Sequence, residues 1–277
     1  MDKYHIENNT IQETLIIPLY ARAVCSRYYP DLLFDEEAEK ICGSLDYDFA
    51  IKGKAMETLA GRFGAIEVAQ CHYDLICEIN EYLKDHPYAS VVNLGCGLDD
   101  TFSKVDNGMC HGYNIDFEDV IKIREKILGT KEREENLAYD LNDERWMKHI
   151  VKDNGVIFFA SGVFYYLKSE EVRTMIRKMA EVFPSSVLVF DCCNRLGVQM
   201  MTKTWLSKAG ISDVGAYFYL DDPLVIEKWD EKIESVSAKS YMRGYRDIYD
   251  EVDFFYKLMI GFCDRLVKMK IVKIFFR

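Results

Sequence analysis

Apolar positions repeat with a helical period through the first 88 residues. Three stretches, residues 10–29, 36–42 and 55–83, place apolar side chains three or four positions apart, which is typical of helices that bury one face. Pro30 and Gly43 separate these stretches, and Pro87 blocks any continuation of the third one. We therefore predict a helical region over residues 1–88.

The pattern changes after residue 88, where short and continuously apolar runs replace the helical period. Each run stops at a glycine, an aspartate or a serine, as expected of strands that are buried on both faces. Helical patterns at 117–128, 144–151 and 169–183 separate them. This alternation predicts β-α-β units and a doubly wound α/β sheet. The four predicted strands are Ser90–Leu94, Met109–Ile115, Gly155–Ala160 and Ser186–Phe190.

Patterning is weaker beyond residue 195. It indicates helices at 198–209, 223–229 and 250–263, and strands at 233–241 and 268–276, the last a closing strand near a sheet edge. The chain has no internal repeat and no linker rich in proline, glycine or serine. We expect one domain over 1–277, with a helical cap at 1–88 and a core at 89–277 that carries an insertion near 195–230.

Composition and charge narrow the function classes. The chain is 49% hydrophobic and 29% charged, with a net charge of −11, which argues against binding to nucleic acid or to an anionic membrane. The polar N-terminus lacks a signal core, and no apolar run approaches a membrane span. The nine cysteines form no Cys-x-x-Cys pair, so we expect reduced thiols, no metal site and a cytoplasmic location.

Candidate chemistry is concentrated where the first sheet strand ends. Gly95 and Gly97 follow that strand, and glycine there permits a tight turn and a close approach of the backbone to a ligand. Asp116 ends the next strand, where an acid can accept both ribose hydroxyls of an adenosine-type ligand or, alternatively, cap the helix that begins near Phe117. The combination of strand, glycine turn, helix, strand and acid is more specific than any part alone.

Two adenosine-bearing cofactors fit this arrangement. A nicotinamide dinucleotide favours a third glycine at position 100, but that residue is Asp100, which would face a pyrophosphate. S-adenosylmethionine carries no phosphate and is cationic at its sulfonium and ammonium groups. The acidic turn therefore favours S-adenosylmethionine.

Five segments of the chain form a recognisable set: Thr14–Ala23 (TLIIPLYARA), Asp46–Phe49 (DYDF), Val91–Asp99 (VVNLGCGLD), Tyr139–Trp146 (YDLNDERW) and Ser161–Leu167 (SGVFYYL). Together they resemble the leucine carboxyl methyltransferase family, in particular its branch of polyketide-type O-methyltransferases. The resemblance extends over nearly the whole chain. It implies a Rossmann-like, doubly wound, mostly parallel seven-stranded sheet with an N-terminal helical elaboration and an antiparallel closing strand.

The resemblance also implies roles for individual residues in holding S-adenosylmethionine. Arg62 would bind the cofactor carboxylate, a contact that suits a guanidinium. Gly95 and Gly97 would lie against the methionine part, and Asp116 would hold the ribose. The adenine would meet Asp140 through its side chain and Leu141 through its backbone.

Two positions depart from the family pattern. Ser161, which we expect beside the cofactor, stands where the family usually has glutamate. Leu98-Asp99-Asp100-Thr101 lacks the arginine of the usual Leu-Asp-Thr-Arg. These departures leave the cofactor fold in place but bear on the acceptor and on activity.

The acceptor is expected to be a carboxylate or a hydroxyl of a small molecule. A carboxylate needs no catalytic base, whereas a hydroxyl does. Arg22 is the candidate anchor for a carboxylate and Arg195 a weaker one, while Tyr20, Tyr165 and Tyr166 are candidate pocket residues. The sequence specifies no oligomeric state.

Three other functions stay open: a cofactor-binding but non-catalytic scaffold, a methyltransferase of protein C-terminal carboxylates and, less favoured because of Asp100, a nicotinamide oxidoreductase. The run Lys131–Glu135 is interpreted as a solvated face.

Overall fold

The strands assemble into one seven-stranded sheet in the order β5-β4-β3-β6-β7-β9-β8. The computed structural model describes residues 3–5, 11–33, 35–49, 53–203 and 215–277. The five strands from β5 to β7 are parallel to their neighbours, and β9 is antiparallel to both β7 and β8. The predicted fold class is therefore confirmed. The sheet strands are β3 Ser90–Leu94, β4 His111–Asp116, β5 Glu134–Ala138, β6 Val156–Ala160, β7 Val187–Cys192, β8 Ile233–Ser240 and β9 Lys270–Phe276; a separate parallel pair is formed by β1 Tyr4–His5 and β2 Leu45–Asp46.

Helices cover the sheet and build the N-terminal cap. The long cap prediction at 55–83 is divided at Thr58, whose hydroxyl accepts the Gly61 N–H at the start of the longer helix. No helix in these described ranges is long and apolar enough to cross a membrane. The helices are α1 Ile11–Tyr28, α2 Glu36–Ser44, α3 Lys54–Glu57, α4 Leu59–Asp85, α5 Thr101–Val105, α6 Glu118–Leu128, α7 Ser169–Val182, α8 Arg195–Met201 and α9 Phe254–Phe262.

Strand order reverses beside β3. Ser90 on β3 pairs with His111 on β4 at one side and with Val156 on β6 at the other, all in parallel. The chain leaves β3 and β6 at the same edge of the sheet in opposite directions, which opens a crevice at the carboxyl ends of the strands. A doubly wound sheet binds its ligands at this edge.

The core consists of two apolar layers on the sheet and a third inside the cap. One layer includes Trp146 and Phe158, and the other packs α4 against β3 and β6 through Leu75 and Ile157. The cap core joins α1 to α4 and includes Leu19 and Phe63. Because α4 belongs to both the cap core and the sheet layer, it carries the cap over the carboxyl edge.

Three local predictions are corrected. The run Lys131–Glu135 is a solvated face only in part: Lys131, Glu132 and Glu135 are exposed, whereas Glu134 begins strand β5 and is buried. The predicted helices at 144–151 and 223–229 are short 3-10 turns, Glu144–Lys148 and Pro223–Lys228. The helix predicted at 198–209 is α8, Arg195–Met201, and its last predicted residues lie outside the described ranges.

Candidate functional site

The turn after β3 has a backbone that only glycine adopts without strain. Gly95 and Gly97 have φ values of +68° and +48°, in the region where side chains are strained. The N–H groups of Gly95 and Cys96 both donate to the carbonyl of Ile115 on β4, at 2.8 and 3.1 Å. A Cβ atom at position 95 would lie 2.6 Å from the side chain of Val163. The turn is thus held tightly, and a ligand can approach its bare backbone.

Asp116 lies directly beside this turn at the end of β4. Its carboxylate accepts the N–H of Gly97 and the N–H of Phe117, both at 2.8 Å. Phe117 is the N-cap residue of α6, so the interpretation of Asp116 as the helix cap is wrong. Burial raises the pKa of Asp116, opposed by these two N–H donors. A buried carboxylate next to a glycine turn fits a ligand that offers hydroxyl groups.

Asp99 anchors the far end of the turn to the cap. The Asn93 amide and the Thr101 hydroxyl both donate to Oδ2 of Asp99, at 3.1 and 2.7 Å. The Arg22 guanidinium lies 3.4 Å from Oδ1. Arg22 is only 5% exposed. Its Nε lies 3.1 Å from the Asp35 carboxylate, but the N–H is not directed at that carboxylate, so the contact is an ion pair without a hydrogen bond. The structure therefore places Arg22 in a buried pair of ion contacts beside the glycine turn.

His72 on α4 closes the same network. Its Nε2 lies 3.1 Å from the Lys104 ammonium, which also contacts Asp35 at 2.7 Å. Burial, together with the neighbouring cations, holds the pKa of His72 well below its usual range. A neutral ring accepts from Lys104 at Nε2 and carries its hydrogen on Nδ1, which faces Asp99 at 3.6 Å.

Arg124 also supports the glycine turn, and no sequence pattern identified it as a site residue. It donates to the carbonyl oxygens of Gly97 and Asp99 at 3.2 and 2.5 Å. Its second terminal nitrogen donates to the Glu134 carboxylate at 3.1 Å, and both side chains are buried. The cation therefore fixes two carbonyl groups of the glycine turn while its charge is balanced by Glu134.

The next segment of the edge follows β5. The Tyr139 N–H donates to the Asp116 carbonyl, which brings Asp140 and Leu141 next to the end of β4. Asp140 is exposed and accepts the Asn142 N–H at 2.8 Å, as a turn residue does. Leu141 is buried, and its carbonyl accepts from the Trp146 indole. Their adenine contacts stay predictions.

Arg62 and Tyr20 lie within the cap. The Arg62 guanidinium stacks 3.6 Å from the centre of the Tyr28 ring and donates to the Glu57 carbonyl. It precedes His72 by ten residues on α4, about 15 Å along the helix axis. Tyr20 stacks on Phe49 and donates to Glu57. The structure does not bring either side chain into described contact with the turn, and their roles stay predictions.

The carboxyl ends of β6 and β7 form the other side of the crevice. The Gly162 N–H donates to Oδ1 of Asp191 at 2.6 Å, and the Ser161 hydroxyl lies 3.8 Å from the Cys71 thiol on α4. Burial raises the pKa of the Tyr166 hydroxyl to about 12 and that of the buried Tyr165 well above its usual range. Ser161, Tyr165 and Tyr166 thus lie on the same side of the crevice as the Asp191 carboxylate.

Two acids on this side were missed by the sequence analysis. Asp191 directly follows an apolar run, the same signal that identified Asp116. Glu67 lies between Phe63 and Cys71 on one face of α4, an acid within an otherwise apolar stripe. Arg195, by contrast, is exposed; its backbone N–H lies 3.3 Å from Asp221, and its anchor role stays a prediction.

Comparisons of sequence identify the family of the chain. Residues 16–180 match the family model described as leucine carboxyl methyltransferase. The tetracenomycin polyketide synthesis O-methyltransferase TcmP of Streptomyces glaucescens is 24% identical over 195 residues. That alignment covers 65% of this chain and 65% of the relative, so it spans less than two thirds of the relative's length.

Solved structures share the fold. A candidate methyltransferase of Thermobifida fusca aligns with a TM-score of 0.59 at 13% identity, over 93% of this chain and 94% of the other. A DUF574 family protein of Streptomyces avermitilis aligns with a TM-score of 0.61 at 11% identity, over 86% and 94%. At these identities the likeness supports the fold alone.

Proposed function

The chain belongs to the leucine carboxyl methyltransferase family, and from this premise we propose that it transfers the methyl group of S-adenosylmethionine to an oxygen atom of a small molecule. The observation that supports this most is the pairing of the glycine turn with Asp116 at the switch point of the sheet. The relative TcmP, whose name describes an O-methyltransferase of polyketide synthesis, supports an oxygen acceptor on a small molecule.

The residues of the turn fit S-adenosylmethionine. The positive φ values of Gly95 and Gly97, and the side chains of Val163 and Leu15 where a Cβ would lie, require glycine in this turn. Its backbone would lie against the methionine part. Asp116 would accept the ribose hydroxyls in place of the Gly97 N–H or alongside it. Asp140 and Leu141 would meet the adenine, Arg62 the carboxylate, and Ser161 the methionine end.

Bound S-adenosylmethionine supplies a methyl group on a positively charged sulfur, which is already an activated leaving group. The protein's task is therefore to orient the acceptor in line and to exclude water. The turn is held rigid by the Ile115 carbonyl, Arg124 and Asp99, which fixes one reactant. Tyr165 and Tyr166, beside Ser161, would position the other, together with Tyr20 and Arg22.

Calorimetry with S-adenosylmethionine and with NAD tests this proposal. We expect S-adenosylmethionine to bind and NAD not to bind. Asp116→Asn should weaken binding of S-adenosylmethionine at least tenfold, about 1.4 kcal/mol, because it removes a buried acceptor. Asp119→Asn, three residues away on the exposed start of α6, is the matched control and should leave affinity nearly unchanged.

Formation of S-adenosylhomocysteine with hydroxyl and carboxyl acceptors then separates the remaining functions. Tight cofactor binding without turnover on any acceptor would favour the non-catalytic scaffold. Turnover only on a peptide C-terminus would favour the protein-modifying alternative, and NAD binding would revive the oxidoreductase.

A further inference from the structure

Asp191 stands at the same level of the sheet as the glycine turn. The register across β3, β6 and β7 pairs three residues: Asn93, Phe159 and Val189. Two positions further along the chain are Gly95, Ser161 and Asp191, and residues two apart in a strand point to the same face of the sheet. Asp191 therefore lies two strand spacings, about 10 Å in the plane of the sheet, from the turn. It is on the face that packs against α4.

The short segment of residues 161–163 connects Asp191 with the glycine turn. The Gly162 N–H donates to Oδ1 of Asp191 at 2.6 Å. The next side chain, Val163, lies 2.6 Å from the place of a Cβ atom on Gly95. One residue of this segment thus contacts the acid and the next contacts the turn. The Asp191 carboxylate is therefore at the carboxyl edge of the sheet, beside the backbone against which a ligand of the turn would lie.

Asp191 is a buried acid without a cation. It is only 5% exposed, and no lysine, arginine or histidine of the described chain forms an ion pair with it. Burial raises its pKa, opposed by hydrogen bonds from the Gly162 N–H and the Tyr165 hydroxyl. Burial also raises the pKa of the neighbouring thiols of Cys71 and Cys193, which stay neutral at pH 7. A carboxylate in such surroundings is costly unless a ligand brings the missing positive charge.

The acids of the glycine turn and of β4, in contrast, already have partners. Asp99 contacts a buried guanidinium, and Asp100 pairs with Lys131 at 2.8 Å. Asp116 accepts two backbone N–H groups and is expected to meet the ribose. Among these four acids, Asp191 alone has neither a described cation nor an expected ligand group.

We propose that Asp191 binds the ammonium group of S-adenosylmethionine through a charge-assisted hydrogen bond. This rests on the proposed function, which places the methionine part against the glycine turn. Of the two positive groups of the cofactor, the ammonium alone carries hydrogen-bond donors, and such bonds to a carboxylate are strong. Its charge remains after the sulfonium has lost the methyl group. Asp191 therefore holds the methionine part in one orientation before and after methyl transfer, and the uncharged Ser161 hydroxyl does not replace it.

Calorimetry with three ligands tests this contact. The ligands are S-adenosylhomocysteine, its analogue without the amino group and its analogue without the carboxyl group. In the wild type, loss of the amino group should weaken binding at least tenfold. Asp191→Asn keeps an oxygen for the Gly162 N–H and removes the charge. It should weaken binding of the two ligands that carry an amino group at least tenfold and leave the affinity for the third nearly unchanged.

Two other variants separate a lost charge from a damaged site. Asp116→Asn should weaken binding of all three ligands alike, because they share the ribose. Asp191→Glu keeps the charge and moves it by one methylene group. That variant should change the preference for an amino group while the affinity for the deaminated analogue stays nearly constant, and it answers the question if Asp191→Asn does not fold.

A parallel change of affinity for all three ligands in the Asp191 variants would assign the residue a structural role and overturn the proposal. Equal affinity of the wild type for S-adenosylhomocysteine and for its deaminated analogue would overturn it as well. Failure of the wild type to bind any of the three ligands would instead contradict the proposed function.

Discussion

Charge is treated differently on the two sides of the crevice. On the cofactor side, Asp99 accepts hydrogen bonds from Asn93, Thr101 and Arg22. Arg124 is paired with Glu134. On the other side, Glu67 and Asp191 form no ion pair with a described cation, and among the described residues only the Cys263 thiol donates to Glu67. Both sides are buried in the same fold and lie at the same sheet edge.

The two arrangements of charge serve different purposes: paired charges make a segment rigid, and acids without an ion pair stay available for chemistry. A buried charge that is fully partnered holds its surroundings in one geometry, which a cofactor turn needs. A buried acid without a partner costs stability and is retained where its proton or its charge is used. The acids without a described ion-pair partner beside β6 and β7 are therefore the candidates for chemistry, and the paired charges hold the glycine turn. Asp116, which accepts two backbone N–H groups and forms no described ion pair, is the exception on the cofactor side.

The largest effect is expected from breaking the paired side. Arg124→Met leaves Glu134 buried without a cation and removes the donor to the carbonyl oxygens of Gly97 and Asp99. We expect the free energy of unfolding to fall by roughly 3–5 kcal/mol, measured by urea denaturation at pH 7.

Lys122→Met is its control, since the exposed Lys122–Glu118 pair should contribute little to stability. A double change of Arg124→Met with Glu134→Leu should recover much of the loss. A single Arg124→Met variant as stable as the wild type would mean that the cofactor side is not held by its charges.

A smaller effect is expected from the glycine turn. Gly95→Ala adds a Cβ atom 2.6 Å from Val163 at a φ of +68°, while Gly108→Ala has a φ of +81° and no neighbour within 4 Å. Backbone strain costs both variants about 1 kcal/mol. Gly95→Ala should lose roughly 1–2 kcal/mol more from the overlap, and its affinity for S-adenosylmethionine should fall.

Thermal unfolding measures the stability of the two alanine variants, and calorimetry measures their affinity for S-adenosylmethionine. Equal destabilisation of the two alanine variants, with unchanged cofactor affinity, would show that Val163 yields and that the turn is not a tight cradle.

The cofactor side could be predicted from sequence because its signals are local. Gly95, Gly97 and Asp116 each follow a buried apolar run, and neighbouring parallel strands end at the same edge. Strand β5 escaped prediction because Glu134–Ala138 (EENLA) has three polar residues before its two apolar ones and begins within an acidic run. Its buried Glu134 is explained only by Arg124 on the preceding helix, a contact that no periodicity reveals.

The other side of the crevice could not be predicted because it is assembled from distant segments. Glu67 meets Cys263 across 196 positions, and Asp191 meets Gly162 across 29. Neither pair leaves a spacing pattern. Arg22 from α1 likewise reaches Asp99 across 77 positions, a contact that no local pattern reveals. That residue had been considered only as a substrate anchor.

The smallest effect on the free energy of unfolding is expected from Glu67, and it depends on pH. The pKa of Glu67 is about 7 in the folded protein and about 4.3 in an unfolded chain. The folded state therefore binds more protons between these values, and the stability of the wild type falls as pH rises from about 4 to 7. Glu67→Gln does not titrate, so its unfolding free energy should equal that of the wild type near pH 4. It should exceed the wild type by about 1–2 kcal/mol at pH 8, a figure reduced because the side chain is partly accessible.

Denaturation at the two pH values, with exposed Glu81→Gln as control, measures this difference in unfolding free energy. A Glu67→Gln variant that is less stable than the wild type at pH 8 would mean that the carboxylate is held by a partner, and the contrast between the two sides of the crevice would not hold.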